Sequence, residues 1–315
     1  MDPLGGLLDG PRAHGAFLLR IVMAAPWSVR IADEAPLALM AVAEGEAWVT
    51  PDGGEPVRLG PGDVAIARGP DPYTVGDRPG GAPDVVIGPG QVCTDPEGHS
   101  VAESMDLGVR TWGNAAEGDT VMLCGAYEEV ATTGVRVLGA LPPLLVVRHD
   151  EWGSPLVDLL CAEVTRQDMG QEVVLDRVLD LVVVSALRSW LARPDAEAPA
   201  WYRAHADEVV GRALRLLQTN PAHPWTVAEL AHEVGMSRAA LARRFTDLVG
   251  EPPMTFLTSW RLARAADLLR RPDATIAAVA GEVGYATPFA LSAAFKRVHG
   301  ISPRDHRRRV TAASA

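Results

Sequence analysis

Two stretches near the C-terminal end are copies of one another: AHEVGMSRAALARRFTDLVGEPP (Ala231–Pro253) and AGEVGYATPFALSAAFKRVHGISP (Ala280–Pro303). Gly235 pairs with Gly284 at an offset of 49, whereas Phe245 with Phe295, Gly250 with Gly300 and Pro253 with Pro303 fall at 50, so one residue has been gained between. A unit of this size used twice is a duplicated supersecondary motif. No other feature of the chain limits its fold so tightly.

Each copy is punctuated as helix, tight turn, helix. Thr226-Val-Ala-Glu229 is a capping-box sequence opening a short helix with Val227, Leu230, Ala231 and Val234 on its apolar side. Gly235 supplies the turn, Ser237 the next N-cap, Leu241, Phe245 and Leu248 the buried face, and Gly250 the stop. In the second copy Ile276, Val279, Ala280 and Val283 form the first helix and Gly284 the turn. Thr287 caps the second helix, with Pro288 at its first position, where a missing N–H costs nothing. Between the copies, MTFLTSWRLARAADLLRR reads as one long connecting helix.

Charge divides the chain in the same way. From Glu208 onward there are 15 Arg or Lys against 9 Asp or Glu, leaving +6, while the first 207 residues hold 14 against 31, leaving −17. A basic half joined to an acidic half indicates that only the former meets a polyanion. The second helix of a helix–turn–helix pair fits the major groove of double-stranded DNA with its N-terminal residues nearest the bases. Outward positions on the first such helix are Arg238, Ala239, Ala242 and Arg243, and either arginine can take guanine O6 and N7 together. Their counterparts are Thr287, Pro288, Phe289 and Ser292, with Ala293 beside them. Arg244, Arg261, Arg264, Lys296, Arg297, Arg304 and Arg307 are the phosphate candidates.

The first 140 or so residues differ in texture. Short apolar runs at Leu37–Ala43, Ala47–Thr50, Pro56–Leu59, Val64–Ala67, Asp84–Ile87, Leu107–Trp112, Thr120–Tyr127 and Leu144–Val147 read as strands, several of them separated by glycine-rich turns. Such a pattern predicts a barrel or sandwich. From Ser154 the spacing turns helical. In QEVVLDRVLDLVVVSALRSWLARPD, Val174, Val178, Leu181, Ser185 and the run Val182–Val184 cover more than one face, as in a helix sandwiched in its own domain or paired with a second copy. ARPDAEAPAWYRAHAD then reads as a Pro/Ala-rich break.

WTVAELAHEVGMSRAALARRF, VGYATPFALSAAFKRVHGISPRDHRR and the helix between them resemble the DNA-binding domain of the AraC/XylS-type transcriptional regulators. The resemblance implies two recognition helices in successive major grooves, although an arginine common near the middle of the family's second one is Ala293 here. PVRLGPGDVAIARGP and LGALPPLLVV are similar to the cupin-like sensor domain found in one branch of that family. The expected architecture is therefore α+β with two domains. An all-β cupin-like barrel or sandwich spans 1–150, a helical linker or dimerisation segment 151–200, and an all-α domain with two helix–turn–helix units 205–310.

What the resemblance implies for function is an effector-controlled, cytoplasmic bacterial regulator, activator or repressor, working as a homodimer and through RNA polymerase. Asp2 and Asp9 stand where a secretory signal carries positive charge, and no apolar run suggests a membrane span. Trp48, Tyr73, Trp112 and Tyr127 are candidate linings for a small-molecule pocket. Cupin enzymes hold a metal with clustered histidines. Here no His-x-His precedes Gly45, Tyr73 stands where a histidine is frequent, and His14, His99 and His149 are scattered. Cys93, His99 and Cys124 form the alternative, a zinc or thiol-redox sensing cluster, and a cupin enzyme fused to a DNA-binding module is a second. No nucleophile–base pair or phosphate loop points to catalytic residues, and no cofactor is expected.

Overall fold

The computed structural model describes residues 17–127, 131–193, 200–271 and 273–313. These form two compact units, 17–127 with 141–193, and 131–140 with 200–313. His14 and residues 194–199 of the Pro/Ala-rich break lie outside the described residues.

The first unit is built on twelve strands among its described residues: β1 (Phe17–Met23), β2 (Ser28–Ile31), β3 (Leu37–Glu44), β4 (Ala47–Pro51), β5 (Val57–Leu59), β6 (Val64–Arg68), β7 (Tyr73–Gly76), β8 (Val85–Gly88), β9 (Val92–Thr94), β10 (Thr111–Gly113), β11 (Thr120–Tyr127) and β12 (Leu144–Val147). They make two six-stranded sheets, ordered β10-β1-β11-β3-β6-β12 and β5-β4-β7-β2-β8-β9. Most neighbours are antiparallel, but β1 runs parallel to β10 and β2 to β8. The expected run Leu107–Trp112 is a strand only from Thr111, because Leu107–Arg110 form a turn. There the Asp106 carboxylate accepts from Gly108 N–H, and Thr111 N–H bonds back to Gly108 O. Strands β1, β2, β7 and β9 lie outside the runs that the sequence reading expects to be strands.

Strand β3 lies inside its sheet and shows what holds the unit together. Ala38, Met40 and Val42 join one core with Ile21, Val29 and Met122, while Leu37, Leu39 and Ala41 on the opposite face are equally buried. A strand covered on both faces reads as a continuous apolar run, and LALMAVA is one.

In chain order the helices begin with α1 (Thr132–Leu138), which belongs to the second unit, followed by α2 (His149–Trp152), α3 (Leu156–Val164) and α4 (Gln171–Leu191) in the first. Helix α3 packs on β1 and β3, and α4 on β12. Leu179 sits against Gly125, where an added Cβ would lie 3.1 Å from a Leu179 methyl. Leu175, Val178, Val182, Val183 and Ala186 are buried, and α3 and α4 belong to the barrel's unit. The other side of α4 leaves Val173, Val174 and Leu181 exposed.

Asp63, in the GPGD turn before β6, ties this unit together. It accepts from Gly60 N–H (3.0 Å), His149 N–H (2.9 Å) and the Arg148 guanidinium (2.8 Å). Burial acts to raise its pKa, but these donors outweigh it and hold the carboxyl below its ordinary value.

The second unit continues with α5 (Ala200–Ala204), α6 (Glu208–Thr219), α7 (Val227–Glu233), α8 (Arg238–Val249), α9 (Pro253–Leu268), α10 (Ile276–Glu282), α11 (Pro288–His299) and α12 (Pro303–Ala313). It has two cores, one centred on Phe245, Phe256 and Trp260 and the other on Leu291 and Phe295. The C-terminal half of α9 feeds the second core and its N-terminal half the first.

Candidate nucleic-acid interface and barrel cavity

The repeat survives in three dimensions down to its caps. Thr226 Oγ1 accepts from Glu229 N–H and Thr275 Oγ1 from Ala278 N–H, each at 3.1 Å. Ser237 accepts from Ala240 N–H (3.3 Å) at the start of α8, and Thr287 from Ala290 N–H (3.1 Å) at the start of α11. Only half of the expected capping box forms. The Glu229 carboxylate turns away to His223 Nε2 (2.7 Å), whose ring packs edge-on to Trp225. Phe245 and Phe295 occupy equivalent, fully buried positions and orient the two second helices.

That orientation sorts the three arginines of α8. Arg238 and Arg243 are exposed and have no ion pair or hydrogen bond among the described residues. Arg244 is also exposed, but it donates to Asp207 Oδ2 at 2.6 Å. Asp207 is itself the N-cap of α6, accepting from Val209 and Val210 N–H, so Arg244 clamps α8 to α6. Ala239 is exposed and Ala242 half-buried beside the free pair.

On α11, Thr287, Pro288 and Phe289 are exposed, as is Ala293, while the Ser292 hydroxyl donates to Pro288 O (2.8 Å). Phe289 is 84% exposed, too much for a residue whose role is to fill this unit's core. Lys296, Arg297 and Arg304 lie exposed at the far end of α11 and the start of α12.

Besides Arg244, two more of the phosphate candidates have other duties. Arg261 is half-buried on α9 and donates to Pro221 O (2.7 Å) and His223 O (2.8 Å), and burial lowers its pKa. Arg307 donates to Ala274 O at 2.6 Å. Both hold loops by their carbonyls, which nothing in the local sequence signals. Arg264 is half-buried on α9.

The barrel holds a partly open cavity of about 90 Å³. Leu19, Ile21, Val29, Ile31, Met40 and Met122 form its aliphatic wall, and Trp27, Tyr73 and Trp112 its aromatic one. Thus Tyr73 and Trp112 line the cavity, whereas Trp48 and Tyr127 do not. Trp48 lies between inward-facing Ala47 and Val49 on β4, so the pleat turns it to the other face. Tyr127 donates its hydroxyl to Asp180 Oδ1 (3.3 Å) on α4, and burial, with the charge of Asp180, raises its pKa. Trp27 was missed because an isolated tryptophan after a Pro turn carries no pattern.

Cys93 and Cys124 also line the cavity, but His99 is exposed and paired with Asp95 (3.0 Å), so the three do not converge. No group of three or more His, Cys, Asp or Glu is placed to hold a metal among the described residues. Burial pushes the Cys124 thiol up to about 12 and raises Cys93, which keeps both as thiols at neutral pH. No helix among the described residues is long and apolar enough to cross a membrane.

Comparison with known proteins matches both units. A cupin family model matches residues 2–192 and a helix-turn-helix domain model residues 230–309. An AraC-like transcription regulator of Streptomyces lividans is 32% identical over 320 residues, covering 99% of either chain. One of Streptomyces antibioticus is 33% identical over 317 residues, covering 98% of this chain and 99% of the relative. The solved DNA-binding domain of AdpA, a global transcriptional factor in complex with target DNA, is 30% identical over 34% of this chain and 96% of that one, at a TM-score of 0.33. With relatives matched over nearly their full length, and a cupin domain preceding a helix-turn-helix domain, the chain belongs to the AraC-like transcription regulators, which bind DNA.

Proposed function

We propose that this regulator reads DNA chiefly through the N-terminal half of α8 and answers to a small molecule taken up in the barrel cavity. The observation that carries the first part is the contrast on α8, where Arg238 and Arg243 are exposed without a protein partner while Arg244 is tied to Asp207. A guanidinium left free at the outer start of a recognition helix is placed for bidentate pairing with guanine. Helix α11 offers Thr287, Pro288, Phe289 and Ser292, suited to apolar contact with a thymine methyl and to few hydrogen bonds. Lys296, Arg297 and Arg304 serve as phosphate contacts that set register.

The effector reading is supported by the cavity, lined by apolar and aromatic side chains inside the barrel. Dimerisation through the outer side of α4 is supported by exposed Val173, Val174 and Leu181. Output through RNA polymerase follows from kinship alone. The buried thiols give no support to redox sensing.

Selection of bound duplexes from a randomised pool by the full-length protein tests the DNA reading. Two enriched blocks about one helical turn apart, on the order of 10 base pairs, are expected, with the guanine-containing block better defined. Binding without sequence enrichment would overturn it.

A further inference from the structure

We propose that α11 reads the 5-methyl group of a pyrimidine rather than a pattern of hydrogen bonds, with Phe289 as the residue that seats it, so that 5-methylcytosine replaces thymine in the bound site without loss. This rests on the DNA reading above and deepens it, naming the chemical group that the second helix recognises and the residue that recognises it.

The repeat supplies the reason. Ser237 and Thr287 are the N-caps of α8 and α11, so Arg238 corresponds to Pro288, Ala239 to Phe289 and Arg243 to Ala293. At the two places where α8 carries an exposed guanidinium, α11 has no polar side chain. At the place where α8 carries a single methyl, α11 carries a benzyl group that is 84% exposed. Hydrogen-bonding and apolar readers have changed places between the two copies.

The other side chains on that end of α11 do little to tell one pyrimidine from another. Ala286, Thr287, Pro288, Phe289, Ala290 and Ala293 are exposed, and of these Thr287 alone has a polar side-chain group. Its Oγ1 already accepts from Ala290 N–H (3.1 Å), and the half-buried Ser292 hydroxyl donates to Pro288 O (2.8 Å). What remains is the hydroxyl hydrogen of Thr287 and lone pairs on both oxygens. Hydroxyls pair with either kind of base edge, so they do not separate thymine O4 from the cytosine amino group. The methyl does. Thymine presents it in the major groove and cytosine lacks it. Methylation of cytosine at C5 restores it without altering the pairing with guanine.

The same face of the helix identifies the occupant. Phe289, Ala293 and Lys296 stand at i, i+4 and i+7, on one side of α11, and Lys296 is exposed. An aromatic ring in line with a cation matches a base edge flanked by phosphates. The ring lies outside the core built on Leu291 and Phe295, so it can be replaced without opening that core.

The test uses full-length protein and a duplex that it selects from a randomised pool. Arg243→Ala marks the block read by α8, and the other block is the one examined. There each thymine is replaced in turn by deoxyuridine, which removes the methyl and nothing else. Each T·A pair is also replaced by C·G and by 5-methylcytosine·G. At one or more thymines deoxyuridine should raise Kd roughly three- to fivefold, the worth of one methyl withdrawn from water. At those positions C·G should be at least as damaging, and 5-methylcytosine·G should recover most of the affinity. In Phe289→Ala the methyl should no longer matter, whereas Phe289→Leu, still apolar, should keep part of its effect.

Deoxyuridine binding as well as thymine throughout the block, or a deoxyuridine penalty undiminished in Phe289→Ala, would overturn the proposal while the DNA reading stands. So would 5-methylcytosine binding no better than cytosine, which would mean that a hydrogen bond to thymine O4 is read instead. Unchanged affinity of Phe289→Ala for every duplex would assign the ring to a protein partner. Selection without an enriched second block would overturn this proposal alone, and selection without enrichment anywhere would overturn the DNA reading with it.

Discussion

Asp267, on α9, caps a helix that begins 135 residues earlier: its carboxylate accepts from Thr133 N–H (3.1 Å) and the Thr133 hydroxyl (2.9 Å), and from Thr132 N–H (2.6 Å). Helix α1 has no side-chain cap of its own, since Ala131 stands at its N-cap. Its open N–H groups are met by a carboxylate from the DNA-binding unit, which also suits the positive end of the helix. Asp267→Ala should cost that unit about 1–3 kcal/mol, with amide exchange at Thr132 and Thr133 rising first. Unchanged protection of those two amides would show that α1 is held by its apolar contacts alone.

The two free arginines of α8 and the cations of α11 are expected to fail differently. Arg243→Ala should cost about 1–3 kcal/mol at the preferred site and relax the choice at one base pair. Lys296→Ala should weaken all duplexes alike and flatten the salt dependence by about one unit of slope. Binding isotherms on matched and single-mismatch duplexes over a range of salt separate the two.

Gly235 and Gly284 hold equivalent places in the repeat, at φ +70° and +82°. Either substitution to alanine forces a side chain into the left-handed region, at about 1–2 kcal/mol. Beyond that they differ. A Cβ at Gly235 meets nothing within 4 Å, whereas one at Gly284 lies 2.7 Å from Ala222 O and 2.9 Å from an Arg261 guanidinium nitrogen. Gly284→Ala should therefore lower Tm clearly more than Gly235→Ala.

Asp207 confers an acid limit. The Arg244 hydrogen bond, helped by the N–H groups of Val210 and Val209 and by the Arg244 charge, holds its carboxyl below the ordinary value against the opposing effect of desolvation. A carboxyl lowered in the folded state contributes stability above its unfolded pKa, and that contribution is lost as pH falls through the lowered folded value. Tm measured from pH 6 downward should drop less steeply below about pH 4 in Asp207→Asn than in the parent protein.

The cavity thiols should be slow to react. With Cys124 pushed up to about 12 and Cys93 raised, both by burial, iodoacetamide at pH 8 is expected to modify them at a useful rate only after unfolding. Mass spectrometry of peptides after timed quenching reads this directly. Rapid alkylation of Cys124 in the folded protein would contradict the burial of its thiol.

The helical unit was largely legible from residues alone. Thr226, Ser237, Thr275 and Thr287 cap their helices, and Gly235 and Gly284 make the turns, because caps and left-handed turns depend on backbone within a few positions of the residue concerned. The outward faces of α8 and α11 followed from helical period in the same way. Many strands were also visible where turns bounded them.

What only the tertiary structure decided involves partners far apart in the chain. That Arg244 clamps Asp207 while Arg243 stays free, and that Arg261 holds Pro221 and His223, depends on which helices lie side by side. The cavity draws Trp27, Tyr73 and Trp112 from separate elements, so its composition exists only once both sheets have closed. Likewise α1 follows β11 in sequence yet folds with the DNA-binding unit, because the carboxylate that completes its first turn is Asp267. Local backbone chemistry is written in neighbouring residues; the satisfaction of buried donors and charges is settled by whatever the fold brings within about 3 Å.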